Sequence, residues 1–166
     1  MLKHSDDEAG RSGRKSAADG PDLSELTDAL GYVLRRAQLA VFKSFKETFK
    51  GTGITPAQYS VLTIIDRNPG LKQNQISDAL GIKHANFVPL LNSLETRGLA
   101  QRTAARDRRS HALQLTPRGR KLLAKLRELS DLHEAKIRAP ISAADYAKLI
   151  ALLRAVTEPL ENDGEG

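Results

Sequence analysis

Apolar residues recur at helical spacing over most of the chain, and the breaks in that pattern mark where elements end. Between residues 23 and 50, Leu26, Leu30, Val33, Leu34, Ala37, Val41, Phe45 and Phe49 follow at three- and four-residue steps, which predicts one long amphipathic helix. Thr55, Pro56 and Gln58 then read as a capped start: a hydroxyl acceptor, a ring that presets φ at the first helical position, and a side chain to close a capping box. Ile54 and Tyr59 stand where a hydrophobic staple would. This second helix should run to about Arg67 and stop at Asn68-Pro69-Gly70. A short third helix is expected from about Gln73 to Leu80, ended by Gly81, and a fourth from about His84 to Arg97, ended by Gly98.

After Gly98 the period changes. Leu99–Thr103 and His111–Leu115 have strand character and flank the basic stretch Ala104 to Ser110, which predicts a hairpin with a cationic tip. Thr116-Pro117 opens a fifth helix striped by Leu122, Leu123, Leu126, Leu129, Leu132 and Ile137, with Pro140 as its stop. Ser142 and Asp145 suggest another capping box, with Ile141 and Tyr146 as the staple. Leu149, Ile150, Leu152, Leu153 and Val156 carry a last helix to about Pro159. Residues 1–22, polar and without apolar periodicity, read as a disordered arm, and residues 161–166 as a flexible tail.

Composition narrows the chemistry. At 166 residues and 40% hydrophobic, the chain can bury one core of useful size. It has no cysteine, which removes disulfides, thiolate nucleophiles and zinc-cysteine sites together. His4, His84, His111 and His133 show neither close pairing nor i, i+4 spacing, so no metal site and no cofactor are expected. No apolar run long enough for a membrane span or a signal peptide occurs, and a soluble cytoplasmic protein is expected. The net charge of +6 is unevenly placed: residues 72–121 hold +7, against −1, +2 and −2 for 1–24, 25–71 and 122–166. Such a block suits a surface that faces phosphates, although a solvated basic face would have the same composition.

Within that block, Gln73 to Val88 reads as a helix-turn-helix: Ile76, Leu80, Ile82, Val88 and Leu91 can lock two crossing helices, Ala79 permits close approach, and Gly81 supplies the turn. A helix, a glycine turn and a helix is a common arrangement by itself. The basic hairpin directly after it supplies the second contact of a winged module: a helix for the major groove, a cationic wing for the neighbouring backbone or minor groove.

From about Leu26 to Leu160 the order of elements resembles the MarR family, the multiple antibiotic resistance regulators. Leu94-Glu95-Thr96-Arg97-Gly98-Leu99 is similar to that family's end of the recognition helix, and Asp107-Arg108-Arg109-Ser110 to its wing. Leu113 to Gly119 (Leu-Gln-Leu-Thr-Pro-Arg-Gly) is similar to its second wing strand and following helix start. The resemblance implies a fold that is mainly α with a small β-hairpin wing, a winged helix-turn-helix at about 54–116, and dimerisation helices at 23–50 and 117–160. It further implies that Lys83, His84, Ala85, Asn86 and Pro89 lie at the leading half of the recognition helix. Arg106, Arg108 and Arg109 would form the wing, with Asp107 holding an arginine in place.

Side-chain chemistry assigns roles within that set. The Asn86 amide both donates and accepts and can pair with an adenine edge. Lys83 and His84 would lie near phosphates at the helix start, while Gln73, Asn74 and Ser77 on the preceding helix would bond phosphates and set register. Arg109 suits minor-groove insertion, a solvated loop charge being the plain alternative. Pro89 conflicts with a helix interior unless the helix begins late enough, near Ala85 or Asn86, to leave it in the first turn. One recognition helix covers few base pairs, so a homodimer on a pseudo-palindromic double-stranded operator is expected.

Phe42, Phe45, Phe49 and Tyr59 gather most of the few aromatics around the first two helices, near Arg35 and Arg36, where a cleft would accept an aromatic ring bearing an anionic group. Core packing is the competing account of each ring. The stretch from Leu34 to Phe49, with Ala85-Asn86-Phe87-Val88, is similar to family members controlling breakdown of lignin-derived phenolic acids or their coenzyme A thioesters, which implies a small aromatic effector that releases a repressor. No convergent catalytic set appears, and no enzyme is expected. The alternative is a winged helix used for protein interaction without sequence-specific DNA binding.

Overall fold

The computed structural model describes residues 21–104 and 111–162. The chain divides into two units, one ending at Ala37 and the other beginning at Gln38, so that the first helix, α1 (Leu30–Thr48), contributes to both.

In the first unit α1 begins at Leu30, later than the apolar spacing predicts. Residues 24–28 form turns instead. The Asp22 carboxylate accepts the Ser24 amide at 3.0 Å, and the Thr27 hydroxyl donates to the Ser24 carbonyl at 3.1 Å. Short polar side chains that bond the adjacent backbone offer it an alternative to the helix. The Ser24 hydrogen bonds hold the Asp22 pKa below the usual carboxylate value. Of the predicted N-terminal arm, residues 1–20 lie outside the described residues, as do 163–166 of the predicted tail.

The second unit carries the core. Helix α2 (Pro56–Arg67) starts as its sequence dictates: the Thr55 hydroxyl accepts the Gln58 amide at 3.2 Å while Gln58 Oε1 accepts the Thr55 amide at 3.0 Å. Helices α3 (Gln73–Ala79) and α4 (His84–Thr96) are joined through Gly81 at φ +60, a left-handed turn that glycine adopts without a Cβ penalty. Val61, Leu62 and Ile65 of α2, Ile76 of α3 and Phe87, Leu91 and Leu94 of α4 are all buried in one cluster.

Strands β1 (Ala100–Ala104) and β2 (His111–Leu115) form an antiparallel hairpin, with Arg102 opposite Leu113. Its other edge is covered by the segment before α3: the Leu113 amide donates to the Leu71 carbonyl at 2.9 Å, and Lys72 bridges Ala112. The wing is thereby fixed to the start of the helix-turn-helix by backbone bonds along the β2 edge.

Helix α5 (Pro117–Arg138) returns past the core, burying Leu123 and Leu126 and joining α2 through Arg127 to Asp66 at 2.6 Å. Helix α6 (Ala143–Asn162) buries none of its described side chains. Its start differs from the expected reciprocal box. Ser142 Oγ accepts the Asp145 amide at 3.0 Å, yet it donates to the Asp145 carboxylate itself at 2.6 Å. The helix also continues through Pro159, three residues past its expected end.

Candidate nucleic-acid interface

Helix α4 presents two unlike faces. Phe87, Leu91 and Leu94, at steps of four and three, point into the core. His84, Ala85, Asn86 and Pro89 are exposed, as is Lys83 at the N-cap, so the five residues expected at the leading edge share an open surface. Unbonded amides, the positive end of the helix dipole and two basic side chains meet there, a combination that attracts phosphate oxygens.

Pro89 lies differently from the favourable case. The helix starts at His84, which puts the proline in the second turn, where its missing N–H leaves the Ala85 carbonyl without the usual partner four residues on. The helix holds because its opposite face is anchored by three fully buried side chains, while the ring itself is exposed.

On α3, Asn74 is exposed and Gln73 partly so, and both remain available to a backbone. Ser77 is not available. It is 1% exposed, its hydroxyl donates to the Asn74 carbonyl at 2.8 Å, and its carbonyl accepts the Ile82 amide at 2.9 Å. Ser77 holds the turn together from inside, and its expected phosphate contact is corrected accordingly.

Two further residues at this surface were not singled out in the sequence. Asn92 stands seven residues after Ala85 on the same exposed row, and helical periodicity alone would have found it. Arg102 of β1 donates to Asn92 Oδ1 at 3.4 Å and pairs with Glu95 at 3.2 Å, tying the base of the wing to the recognition helix. Arg106, Asp107, Arg108 and Arg109 lie outside the described residues, in the stretch between β1 and β2.

The motifs at the end of α4 have structural causes. The Gly98 amide donates to the Glu95 carbonyl at 2.8 Å and the Leu99 amide to the Leu94 carbonyl at 2.9 Å, with Gly98 at φ +65. This is a Schellman ending, sealed by buried Leu94 and Leu99. Thr116 Oγ1 donates to the Gly98 carbonyl at 2.6 Å and accepts the Gly119 amide at 2.9 Å, so one hydroxyl caps α5 and pins it to the end of α4.

The aromatic residues expected to line a ligand cleft separate into two kinds. Phe45 and Phe49, 6% and 2% exposed, stack on each other at 3.8 Å, and Tyr59 meets Phe49 edge-on at 5.6 Å. His133 closes the cluster against Phe45 at 5.6 Å, its Nδ1 hydrogen-bonded to Ser44 Oγ at 3.2 Å. Phe45 and Phe49 therefore bury their rings against protein and not against a ligand, a correction to the expected cleft. Phe42 is exposed, and so are Arg35 and Arg36 of the other unit. Among the described residues no group of three or more metal-ligating side chains converges, and no helix is long and apolar enough to cross a membrane.

Comparison with known proteins places this geometry. Residues 52–110 match the sequence profile of the MarR family. Over 140 residues the chain is 36% identical to a proposed transcriptional regulatory protein for the hcr operon of Thauera aromatica, covering 80% of this chain and 84% of that one. It is similar to the transcriptional repressor CouR in two solved states, at 40% identity in each. The state bound to a 23-mer DNA duplex matches 84% of this chain and 99% of that one with a TM-score of 0.79. The state bound to p-coumaroyl-CoA matches 82% and 96% with a TM-score of 0.77. The PcaV regulator of Streptomyces coelicolor, in complex with its natural ligand, is 26% identical, with 84% and 97% coverage and a TM-score of 0.73.

Proposed function

Because this chain belongs to the MarR family of transcriptional regulators, we propose that it is a cytoplasmic homodimeric repressor, not a catalyst, that reads a pseudo-palindromic operator and is released by an aromatic effector. The observation that carries the reading is the exposed edge Lys83, His84, Ala85, Asn86 and Pro89 of α4, beside a hairpin rooted on the same core. Asn86 addresses a base edge in the major groove. Lys83, His84, Gln73 and Asn74 hold phosphates and set the register. Arg109, oriented by Asp107, enters the adjacent minor groove.

Two copies associate through α6 and the N-terminal half of α1, where Leu30, Val33, Leu149, Leu152 and Val156 are exposed in the single chain. Each is about half exposed, so covering the remainder is worth about 1 kcal/mol apiece, and together they favour a second copy. For the effector, the 40% identity to a repressor seen with p-coumaroyl-CoA supports an aromatic coenzyme A thioester. Within the second unit, exposed Phe42 and half-buried Tyr59 are the rings available to its acyl group.

Fluorescence anisotropy with a labelled duplex from the protein's own upstream region tests this. Binding should release on titration with p-coumaroyl-CoA and not with coenzyme A alone. Equal affinity for random duplex would discard the operator reading in favour of a protein-interaction module. Operator binding indifferent to the thioester would discard that effector.

A further inference from the structure

Arg97 makes more bonds than a helix end requires. It is the C-cap of α4, and its guanidinium donates from Nη1 to the Gly53 carbonyl at 2.7 Å and from Nη2 to the Thr52 carbonyl at 3.0 Å. Both carbonyls belong to the connection between α1 and α2. Thr52 binds that connection to the end of α1, its hydroxyl donating to the Phe49 carbonyl at 2.8 Å and accepting the Ile54 amide at 3.1 Å. Gly53, at φ +63, turns the chain so that two successive carbonyls meet one fork, and a Cβ there would lie 3.6 Å from Arg97 Nη2. One turn earlier on α4, Ser93 Oγ accepts from Gln58 Nε2 at 3.2 Å. The end of α4 is thus bonded to the α1–α2 connection at two points, both through Arg97, and to the first turn of α2 at a third.

We infer that Arg97 is a positioning residue that carries the pose of the aromatic end of α1 to the recognition helix. The inference rests on the reading of α4 as the operator-reading element. A displacement of Phe45 and Phe49 moves Thr52 and Gly53, and a planar fork held by two carbonyls passes both translation and rotation to α4. A lysine at this position offers one point of attachment and passes translation only. Arg97 itself does not touch the groove: Asn86 lies eleven residues away, about 16 Å along the helix axis. The competing account is that Arg97 merely satisfies carbonyls near a helix end.

Amide hydrogen exchange of the full chain, free and bound to a duplex from its upstream region, separates the two. In the wild-type protein, operator binding should slow exchange through α4 and also at residues 49–54. In Arg97→Met the slowing in α4 should persist within about twofold, while that at residues 49–54 falls by about fivefold or more, the lower end of ordinary coupling between sites. Arg97→Lys should fall between them and serves as the comparison if Arg97→Met does not fold. A cap alone predicts faster exchange at residues 95–99 in the free variants with the operator-induced slowing at 49–54 intact, and that result overturns the inference. Absence of slowing at 49–54 in the wild-type protein overturns it too. A wild-type protein in which the duplex slows nothing in α4 overturns the operator reading, and the inference with it.

Discussion

Gly119 has no room for a side chain: a Cβ built on it would overlap the carbonyl oxygen of Leu99, a backbone atom that cannot rotate away. Gly119→Ala should therefore destabilise the protein by about 2–3 kcal/mol, read from urea unfolding, because α5 must lift off the Leu99 backbone to admit one methyl. A loss under about 0.5 kcal/mol, the range of ordinary surface changes, would contradict that packing. Ser77 gives a second test at this scale. Since its hydroxyl is spent inside the turn, Ser77→Ala should cost about 1 kcal/mol of stability yet leave the operator affinity of folded protein unchanged. Asn74→Ala should do the opposite, weakening operator binding at unchanged stability. Thr55 and Gln58 were legible in the sequence because a capping box is a local pattern four residues long. The burial of Ser77 and the crowding at Gly119 were not, since each depends on a segment folding against it from elsewhere, Ile82 in one case and Leu99 in the other.

Among the elements, α4 holds the sharpest conflict between local preference and tertiary context. Its proline lies in the second turn, so Pro89→Ala restores a backbone hydrogen bond to the Ala85 carbonyl and should raise stability by about 1–3 kcal/mol, measured as a higher unfolding midpoint. An unchanged or lower midpoint would mean that the ring contributes packing the exposed position does not suggest. Asn86→Ala should lower operator affinity about tenfold and relax preference at one base pair of each half-site. Element order and most boundaries followed from apolar periodicity and caps: α2 begins and ends where Thr55 and Asn68 stop the pattern. The misjudged boundaries have local causes. Residues 24–28 fold into turns around Asp22 and Ser24, and Pro159 lies within α6 without ending it. The helix-turn-helix surface was legible from its polar residues. The split of the aromatic set into buried Phe45 and Phe49 and exposed Phe42 was not, because all three sit on the same run of helical spacing and only the cluster with Tyr59 and His133 tells them apart.

For the whole molecule the exposed apolar side chains and the basic block make linked demands. Leu152 is 56% exposed and none of the described side chains of α6 is fully buried within the chain, which suits a surface completed by a second copy. Leu152→Lys should shift sedimentation from dimer towards monomer, and operator affinity should fall with it because two half-sites are no longer held together. A monomeric wild-type protein would contradict the pairing through α6. The +7 of residues 72–121 implies that phosphates supply much of the affinity, with log affinity falling linearly in log salt concentration. The most direct test of the central claim is a footprint of the purified protein on its own upstream DNA across a salt series. Reading of an operator by α4 and the wing predicts a protected pseudo-palindrome with half-sites about one helical turn apart, lost steeply as salt rises and needing about tenfold more protein in Asn86→Ala. Protection without sequence preference, or a footprint that Asn86→Ala leaves unchanged, would contradict it.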